Sequence, residues 1–277
     1  MKRIITTLAL VFIVGSSNLC FGWGRDAHAA IAYIAERHLT PTAKANIEKC
    51  IDGNSIVFYA SWLDNHRAEH KSWSKLAHVA HYNVDTCDPI GRPYKQMKET
   101  INKLKKYQEL PDSALKVSIY HFVHSFGDYH CPGHVAFYDC KGEKPKRVQT
   151  SSYDIYLQTK NTRMSYHKLW DSGIVQMSQP GWGYMDWGHA LDSSVSQEYI
   201  DSITAGSLKD WMRDIATKTQ QQYQIFQKAP EKDKDCADSE LSVVDRDMMN
   251  EFSEVAAKQI LIGGLRMAKV INDIFGK

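Results

Sequence analysis

Apolar and alanine side chains recur with helical spacing along most of this chain, which predicts a mostly helical protein. The predicted helices cover residues 26–38, 42–51, 55–67, 94–107, 112–129, 193–226 and 242–275, with a shorter helical stretch at 166–171. Strictly alternating segments, typical of half-buried strands, are few and short. No repeat or low-complexity tract divides the chain. We therefore expect an all-α fold with a single mostly helical domain over residues 23–277.

The first 22 residues have a different character from the rest. A charged start precedes an apolar run from Ile4 to Val14, which is too short to span a bilayer, and Cys20-Phe21-Gly22 offers small residues at cleavage spacing. We expect residues 1–22 to be a secretory signal peptide, with Trp23 as the first mature residue and a secreted or periplasmic location. A lipoprotein cut before Cys20 is the alternative, but Ser16-Ser17-Asn18-Leu19 is a poor lipobox.

The mature chain is formally neutral. The full sequence has 34 basic and 32 acidic residues, and the leader removes Lys2 and Arg3 but no acid. A neutral chain lacks the broad basic field of a protein that binds duplex DNA, so any attraction for phosphate must be local. The basic loop at 140–150 is interpreted as solvated surface.

Five cysteines remain after cleavage, and an exported protein meets oxidising conditions. We expect one disulfide between Cys131 and Cys140 and another between Cys87 and Cys236, which leaves Cys50 unpaired. No Cys-x-x-Cys pair occurs, so a thiolate zinc site is not expected.

Histidine and aspartate residues recur in helical pairs. His124 and Asp128 are four residues apart, as are His167 and Asp171, so each pair lies on one helix face. After the first pair a Pro-Gly turn ends the helix and allows His134 to come back toward the same pocket. Imidazole and carboxylate ligands without thiolate are typical of catalytic zinc.

Further candidate ligands lie outside these pairs. Asp64 lies in an otherwise apolar turn, where a lone carboxylate is costly unless it is paired or bound to a cation. His81 lies just before Tyr82, and His28 lies five residues beyond Trp23. The α-amino group of Trp23, with an ordinary pKa near ~7.7–8.0, can lose its proton to a metal at neutral pH.

Together these residues resemble the signature of the S1/P1 nuclease family. The resemblance is carried by Trp23-Gly, His28, Trp62-x-Asp64-x-x-Arg67, His81-Tyr82, His124-x-x-Gly-Asp128, Pro132-x-His134, His167-x-x-Trp-Asp171 and a C-terminal Gly263-Gly264-Leu-Arg-Met-Ala. It extends over essentially the whole mature chain.

The resemblance implies the phospholipase C/P1 nuclease type of helical domain, with three zinc ions (Zn2+) per chain. By resemblance, the first zinc would be bound by Asp64, His81, His124 and Asp128, the second by His134, His167 and Asp171, and the third by the amine and carbonyl of Trp23 with His28 and the shared Asp128. Arg67 and Asp128 would be catalytic, with Arg67 on the scissile phosphate. Tyr82 would stack a base, although a packed core aromatic is an equal alternative.

The implied activity is hydrolysis of single-stranded DNA and RNA by an endonuclease that also acts on 3′-nucleotides. A hydroxide bridging two zinc ions would attack phosphorus in line and leave 5′-phosphate products. We expect a monomer with no membrane association and no obligate protein partner.

Two other functions are compatible with parts of this pattern. A zinc-dependent phospholipase C shares the implied fold but carries His-x-x-x-Glu where this chain has His167-x-x-x-Asp171. A non-catalytic zinc-binding exported protein would need a closed or incomplete metal site, and no ligand is missing here.

The chain also departs from the family pattern at two places. Tyr138-Asp-Cys-Lys-Gly142 replaces a frequent Gly-Gly-Asn turn, and Cys131 stands where Gln is usual. For this reason the base-binding residues of the family are not transferred. The remaining histidines are interpreted as structural or surface residues: His38, His66, His70, His78, His121, His130 and His189.

Overall fold

The computed structural model describes residues 23–149, 151–225 and 241–277, without the side chains of residues 224 and 225. The expected signal peptide and Cys236, with its expected disulfide, lie outside these ranges. Within them, no helix combines the length and the apolar character needed to cross a bilayer.

Helices dominate the described residues and form one body, which confirms the mostly helical prediction. They are α1 (Arg25–Arg37), α2 (Pro41–Cys50), α3 (Trp62–His66), α4 (Gly91–Leu104), α5 (Asp112–Asp128), α6 (Tyr166–Lys168), α7 (Ile174–Ser178), α8 (Tyr184–Asp192), α9 (Gln197–Thr204), α10 (Leu208–Ile225) and α11 (Arg246–Phe275). A π-helical turn, Leu169–Gly173, joins α6 to α7.

The core lies where α1, α5 and α11 meet, with α11 packed along the alanine-rich face of α1. The close approach depends on Gly264, because a Cβ at that position would lie 2.7 Å from Cβ of Ile34. Helix α5 is buried through its whole C-terminal half. This buried half carries the central His/Asp pair of the sequence.

Two small sheets accompany the helices, each with three described strands. The first has the order β1-β2-β3 and the second β5-β4-β6. The strands are β1 (Ala80–Asn83), β2 (Val135–Asp139), β3 (Lys146–Gln149), β4 (Asp154–Leu157), β5 (Thr162–Ser165) and β6 (Ser242–Val244). Strands β1 and β2 run parallel, with Ala80 opposite Val135.

Several predicted helices are interrupted. The segment 55–67 divides into a 3-10 turn, Ile56–Tyr59, and the short α3. The segment 193–226 divides into α9 and α10, and the Ser196 side chain accepts a hydrogen bond from the amide of Tyr199 to begin α9. Serine side chains that bond to nearby amides favour helix starts over helix interiors.

The expected disulfide between Cys131 and Cys140 does not form in the structure, where both residues are free thiols. Cys131 is completely buried between α5 and the following turn. Cys140 lies beyond the end of β2, and its Sγ contacts the carbonyl of Tyr138 at 3.7 Å. The strand between them therefore carries Cys140 away from Cys131, and that prediction is wrong for this structure.

Candidate metal centre

The C-terminal half of α5 supplies the centre of the site. His124 and Asp128 overlie each other one helical turn apart, and Nε2 of His124 lies 3.2 Å from Oδ2 of Asp128. Both side chains are completely buried. The helical spacing predicted this pair, and the structure brings it together.

Helix α1 adds His28 from the opposite side. Its Nε2 lies 3.2 Å from Oδ1 of Asp128, and its ring stacks on that of His124 with the centroids 4.4 Å apart. Ligand atoms of His28, His124 and Asp128 all lie within 4.8 Å of one another. The absence of a side chain at Gly127 permits this approach, since a Cβ there would lie 3.0 Å from the His28 ring.

Asp64 approaches from α3. Its Oδ1 lies 3.6 Å from Nε2 of His124, and its side chain is almost fully buried. Burial raises the pKa of Asp64 above its ordinary value, against the lowering effect of His124. A cation at this position would remove that penalty, because it favours the ionised carboxylate.

A second group lies beside the first, and it consists of His134, His167 and Asp171. Nε2 of His134 lies 3.3 Å from Oδ1 of Asp171, and Nε2 of His167 lies 3.2 Å from Oδ2 of the same residue. Nδ1 of His134 lies 3.6 Å from Oδ1 of Asp128 and so connects the two groups. The π-helical turn re-aims Asp171 into the group, as such turns often do at functional sites.

Backbone carbonyls fix the orientation of three imidazoles. Nδ1 of His124 bonds to the carbonyl of Ala60 at 2.9 Å, Nδ1 of His134 to that of His78 at 3.0 Å, and Nδ1 of His167 to that of Gly133 at 2.8 Å. In each case Nδ1 is the donor, which leaves Nε2 free to bind a metal. Such hydrogen bonds to the far nitrogen are typical of metal-binding histidines.

The buried polar atoms of the first group fit a metal site. Within the described part of the chain, neither carboxylate oxygen of Asp128 accepts a well-formed hydrogen bond, and Nε2 of His28 and of His124 also have no hydrogen-bond partner. Buried polar atoms of this kind normally have partners. A divalent cation with a preference for nitrogen and oxygen ligands, such as zinc, would satisfy all of them at once.

The ionisation of the site shows the same need for positive charge. Burial alone would raise the pKa of Asp128, but the adjacent His134 and His124 hold it well below its usual range. Burial opposes a charged His134, yet Asp128 and Asp171 raise its pKa to about 10. Burial also raises the pKa of Asp171 to about 7. Protonated imidazoles thus balance the negative charge of the clustered carboxylates, and bound metal ions can supply this positive charge instead.

The start of the described chain lies against the second group. The amide of Gly24 donates a hydrogen bond to the carbonyl of Asp171, and the Trp23 side chain is completely buried. A Cβ at Gly24 would lie 2.6 Å from that carbonyl oxygen. Trp23 is therefore held next to a residue that bonds to Asp171, and its role as a ligand with His28 and Asp128 stays a prediction.

Arg67 lies at the edge of the first group. It follows the last residue of α3, one turn beyond Asp64, and it is half-buried. Its Nη1 lies 3.2 Å from Nε2 of His78. The structure thus places its guanidinium beside His78, and its contact with the scissile phosphate stays a prediction.

His81 is a correction to the sequence-based ligand set. Its ring packs on Tyr138 with the centroids 4.7 Å apart, and its pKa is lowered by burial first and then by Arg92 and Arg147. His78 lies closer to the site, since its ring centroid lies 5.5 Å from that of His134 and its pKa falls to about 3 through burial and the charge on His134.

The pattern of β1 explains the error and contains the signal that was missed. Side chains alternate between the two faces of a strand, and Ala80 and Tyr82 take the buried face. His81 must then share the outer face with Asn83. His78, which precedes the strand, is the histidine left to face the site, although its sequence context predicted a structural or surface residue.

Tyr82 is the second correction. It is completely buried, and its ring packs on Phe137 in the core. A side chain with no exposed surface has no free face for a base, so the packed core aromatic is the correct interpretation.

The other histidines set aside from the sequence lie outside the site. His121 is buried beside Thr100, and His130 is buried beside Phe126 and Arg266. Their pKa values fall, through burial first, to about 4 and about 3. The other four histidines pair with residues outside the site groups. His38 pairs with Asp192, His66 with Glu69, His70 with Ser72, and His189 with Tyr33.

Comparison with known proteins agrees with this geometry. The family model described as S1/P1 Nuclease matches residues 23–276. The chain is also 21% identical to Endonuclease 2 of Arabidopsis thaliana over an alignment of 305 positions that covers 99% of this chain and 98% of that protein. A match over nearly the whole described chain, on the segments that build the two His/Asp groups, leads to one conclusion: the chain belongs to the S1/P1 nuclease family.

Proposed function

We propose that this protein is a zinc-dependent phosphodiesterase that hydrolyses single-stranded DNA and RNA, with 3′-nucleotidase activity and 5′-phosphate products. The observation that carries the proposal is the pair of buried His/Asp groups joined through Asp128. Closely spaced metal sites with mixed nitrogen and oxygen ligands are typical of enzymes that cleave phosphate esters. Family membership and the likeness to an endonuclease support the same reaction class.

Three zinc ions are proposed, with one change from the sequence-based assignment. Asp64, His78, His124 and Asp128 would hold the first, and His134, His167 and Asp171 the second. The amine and carbonyl of Trp23, with His28 and the shared Asp128, would hold the third. His78 replaces His81 because its ring faces His134 and its Nε2 faces Arg67. When bound, the zinc ions would acidify coordinated water and neutralise charge on the phosphate.

The residues of the chain contribute orientation and charge. Asp128 is held as a carboxylate by the imidazoles around it, so it is ready to be shared between two ions. Hydrogen bonds from Nδ1 to backbone carbonyls direct Nε2 of His124, His134 and His167 inward. Side chains locked in this way hold a site in its productive geometry.

Arg67 is proposed as the clamp on the scissile phosphate. A guanidinium can donate two parallel hydrogen bonds to non-bridging phosphate oxygens, and these interactions strengthen as negative charge grows in the transition state. Its place beside His78, at the edge of the site, suits a residue that meets substrate without being a metal ligand.

The distribution of charge in the chain favours contact with nucleic acid at one local site and not over a broad surface. The mature sequence is formally neutral, so phosphate attraction would come from the metal ions and from local basic residues. We propose export through cleavage before Trp23, because a free Trp23 amine is required by the third ion. We propose that the protein acts as a monomer and does not associate with membranes.

A zinc-dependent phospholipase C is the second candidate. It is disfavoured by Asp171, whose two oxygens lie within 3.3 Å of imidazole nitrogens, at the position where that family carries a glutamate. The longer side chain of glutamate would need a different helix position to reach the same atoms.

One set of assays tests the proposal. The mature protein is incubated with single-stranded DNA, RNA, duplex DNA, a 3′-mononucleotide and phosphatidylcholine, with and without a zinc chelator. We expect chelator-sensitive cleavage of both single strands and release of phosphate from the mononucleotide. Cleavage of phosphatidylcholine without cleavage of nucleic acid would contradict the proposal, as would nuclease activity that survives complete removal of zinc.

A further inference from the structure

The outer face of the β1-β2-β3 sheet gathers cationic and hydrogen-bonding side chains that the metal centre does not use. His81 of β1, Tyr138 of β2 and Arg147 of β3 lie on this face, and Arg92 comes from the first turn of α4. We call these four residues the basic face. It includes the histidine that the sequence pattern first assigned to zinc.

Strand register brings the four residues together. Tyr138 lies directly opposite Arg147, and its hydroxyl lies 3.4 Å from Nε2 of His81. The amide of Ile90 donates to the carbonyl of His81 at 2.8 Å, which ties the start of α4 to β1 and places Arg92 nearby. The two arginines are close enough to His81 to lower its pKa, after burial, which is the larger cause.

The arginines of the basic face have no anionic partner in the described part of the chain. Among residues 23–149, 151–223 and 241–277, no ion pair involves Arg92 or Arg147. The nearby acids have other partners: Asp85 pairs with Lys141, Asp88 pairs with Lys209 and Arg213, and Asp139 accepts a hydrogen bond from the amide of Lys141. Lys144 of the exposed β2-β3 loop and Lys146 of β3 extend the positive charge, and Glu143 is the one acid between residues 140 and 149.

The basic face is connected to the metal centre by the two parallel strands. His78 lies just before β1 and His134 just before β2, and Nδ1 of His134 donates to the carbonyl of His78. His81 is three residues from His78 and Tyr138 is four from His134, so these Cα separations are at most about 11 Å and 14 Å. The basic face therefore lies near the metal centre along the same two β-strands, on the outer face of the sheet.

We propose that His81, Tyr138, Arg92 and Arg147 form a phosphate subsite that binds the backbone of a single-stranded polynucleotide next to the bond being cleaved. This inference rests on the proposed nuclease function and adds a place for the flanking strand. Two guanidinium groups, an imidazole and a hydroxyl are the donors that recognise phosphate oxygens without reading sequence. The subsite would favour polynucleotides over mononucleotides.

Salt dependence of binding gives the test. The zinc-loaded wild type and the double variant Arg92→Gln/Arg147→Gln are titrated against a fluorescent thymidine 12-mer with phosphorothioate linkages, at several salt concentrations. Each phosphate contact in a single strand contributes about 0.7 to the slope of log affinity against log salt. We expect the slope of the double variant to fall by about 1.4, with a KM for a 3′-mononucleotide equal to that of wild type.

The matched control is Lys105→Gln/Lys106→Gln, which removes two exposed charges at the other end of α4. Its slope should equal that of wild type. The proposed subsite would be wrong if the slope of the arginine variant equalled that of wild type, or if the slope fell equally in both double variants. Binding of phosphatidylserine vesicles by the basic face in place of the oligonucleotide would also overturn it. If the wild type binds the 12-mer but cleaves no nucleic acid, the proposed function is refuted. The comparison of slopes would still test whether the basic face binds phosphate.

Discussion

Nε2 of His28 and Nε2 of His124 each lie 3.2 Å from a different oxygen of Asp128, and all three side chains are completely buried. A carboxylate in such a place is costly unless its charge is balanced. His124 and His134, whose pKa values are raised by Asp128 against the effect of burial, provide that balance without a metal, and their Nε2 atoms are the ones that would bind one. Asp128 is therefore the residue on which the metal centre depends most.

Substitution of His78 and of His81 should show which of the two histidines binds zinc. We expect His78→Ala to lower the zinc content of the purified protein, because its ring lies beside His134 and Arg67. We expect His81→Ala to retain the zinc content of wild type, since its ring packs on Tyr138 on the outer face of the sheet. Elemental analysis of both variants makes the comparison. Loss of zinc in His81→Ala alone would restore the original assignment.

Much of the site could be predicted because helical spacing is a reliable guide to shared faces. His124 with Asp128 and His167 with Asp171 needed only the four-residue rule. The choice between His78 and His81 depended on recognising strand β1. This strand has four residues, too few for the alternation of its buried and exposed side chains to be recognised in the sequence. Tyr82 was misassigned for the same reason, because the residue that follows a strand histidine points to the other face.

The small sheets and the cysteines were harder to predict. Strands β4 and β5 pair as a short hairpin, while β6 reaches the same sheet from residues more than eighty positions further along the chain. Such long-range pairing leaves little trace in local periodicity. Cys131 and Cys140 are close in sequence, but the extended β2 between them holds them apart, and sequence separation alone did not show this.

An extension at the amino terminus should disrupt the proposed third zinc. The Gly24 amide bonds to the carbonyl of Asp171 and Trp23 is buried, so an added residue before Trp23 would remove the free amine in a confined place. We expect a protein that begins Ser-Trp23 to bind about one zinc fewer per chain, with a large loss of activity. A residue added after Lys277 is the control. Full zinc content in the Ser-Trp23 form would refute a ligand role for the amine.

Arg67 should act on turnover without affecting metal content. It is half-buried at the end of α3 and contacts His78 through its guanidinium. We expect Arg67→Ala to retain wild-type zinc and to lower kcat by roughly 100-fold or more, the scale seen when one transition-state donor is removed. Arg67→Lys should recover only part of the rate, because an ammonium group lacks the paired donors. Zinc loss in the alanine variant would show that Arg67 has a structural role instead.

His121 should make the protein sensitive to acid. Burial lowers its pKa to about 4 from an ordinary value of 6.5, so the unfolded chain binds a proton more readily than the folded one. The stability contributed by a neutral His121 is present above pH 6.5 and is lost as the pH falls through the range toward 4. Between pH 7.5 and pH 5 this loss is about 2 kcal/mol, at about 1.4 kcal/mol per unit.

Urea unfolding at those two pH values tests the assignment. We expect the free energy of unfolding of His121→Asn to depend less steeply on pH than that of wild type, while the exposed variant His70→Asn follows wild type. Both variants keep every proposed zinc ligand, so loss of metal in acid is common to all three proteins. Equal pH dependence in wild type and His121→Asn would contradict a neutral, buried His121.

The zinc content of Asp128→Asn is the decisive test of the proposed metal centre. Elemental analysis of the mature wild type should find three zinc ions per chain, and Asp128→Asn should retain about one, because the first and third ions share this carboxylate. Asp112→Asn, an exposed change at the start of the same helix, should retain all three. Wild-type zinc content in Asp128→Asn, or a wild type that binds no zinc, would contradict the proposed metal centre.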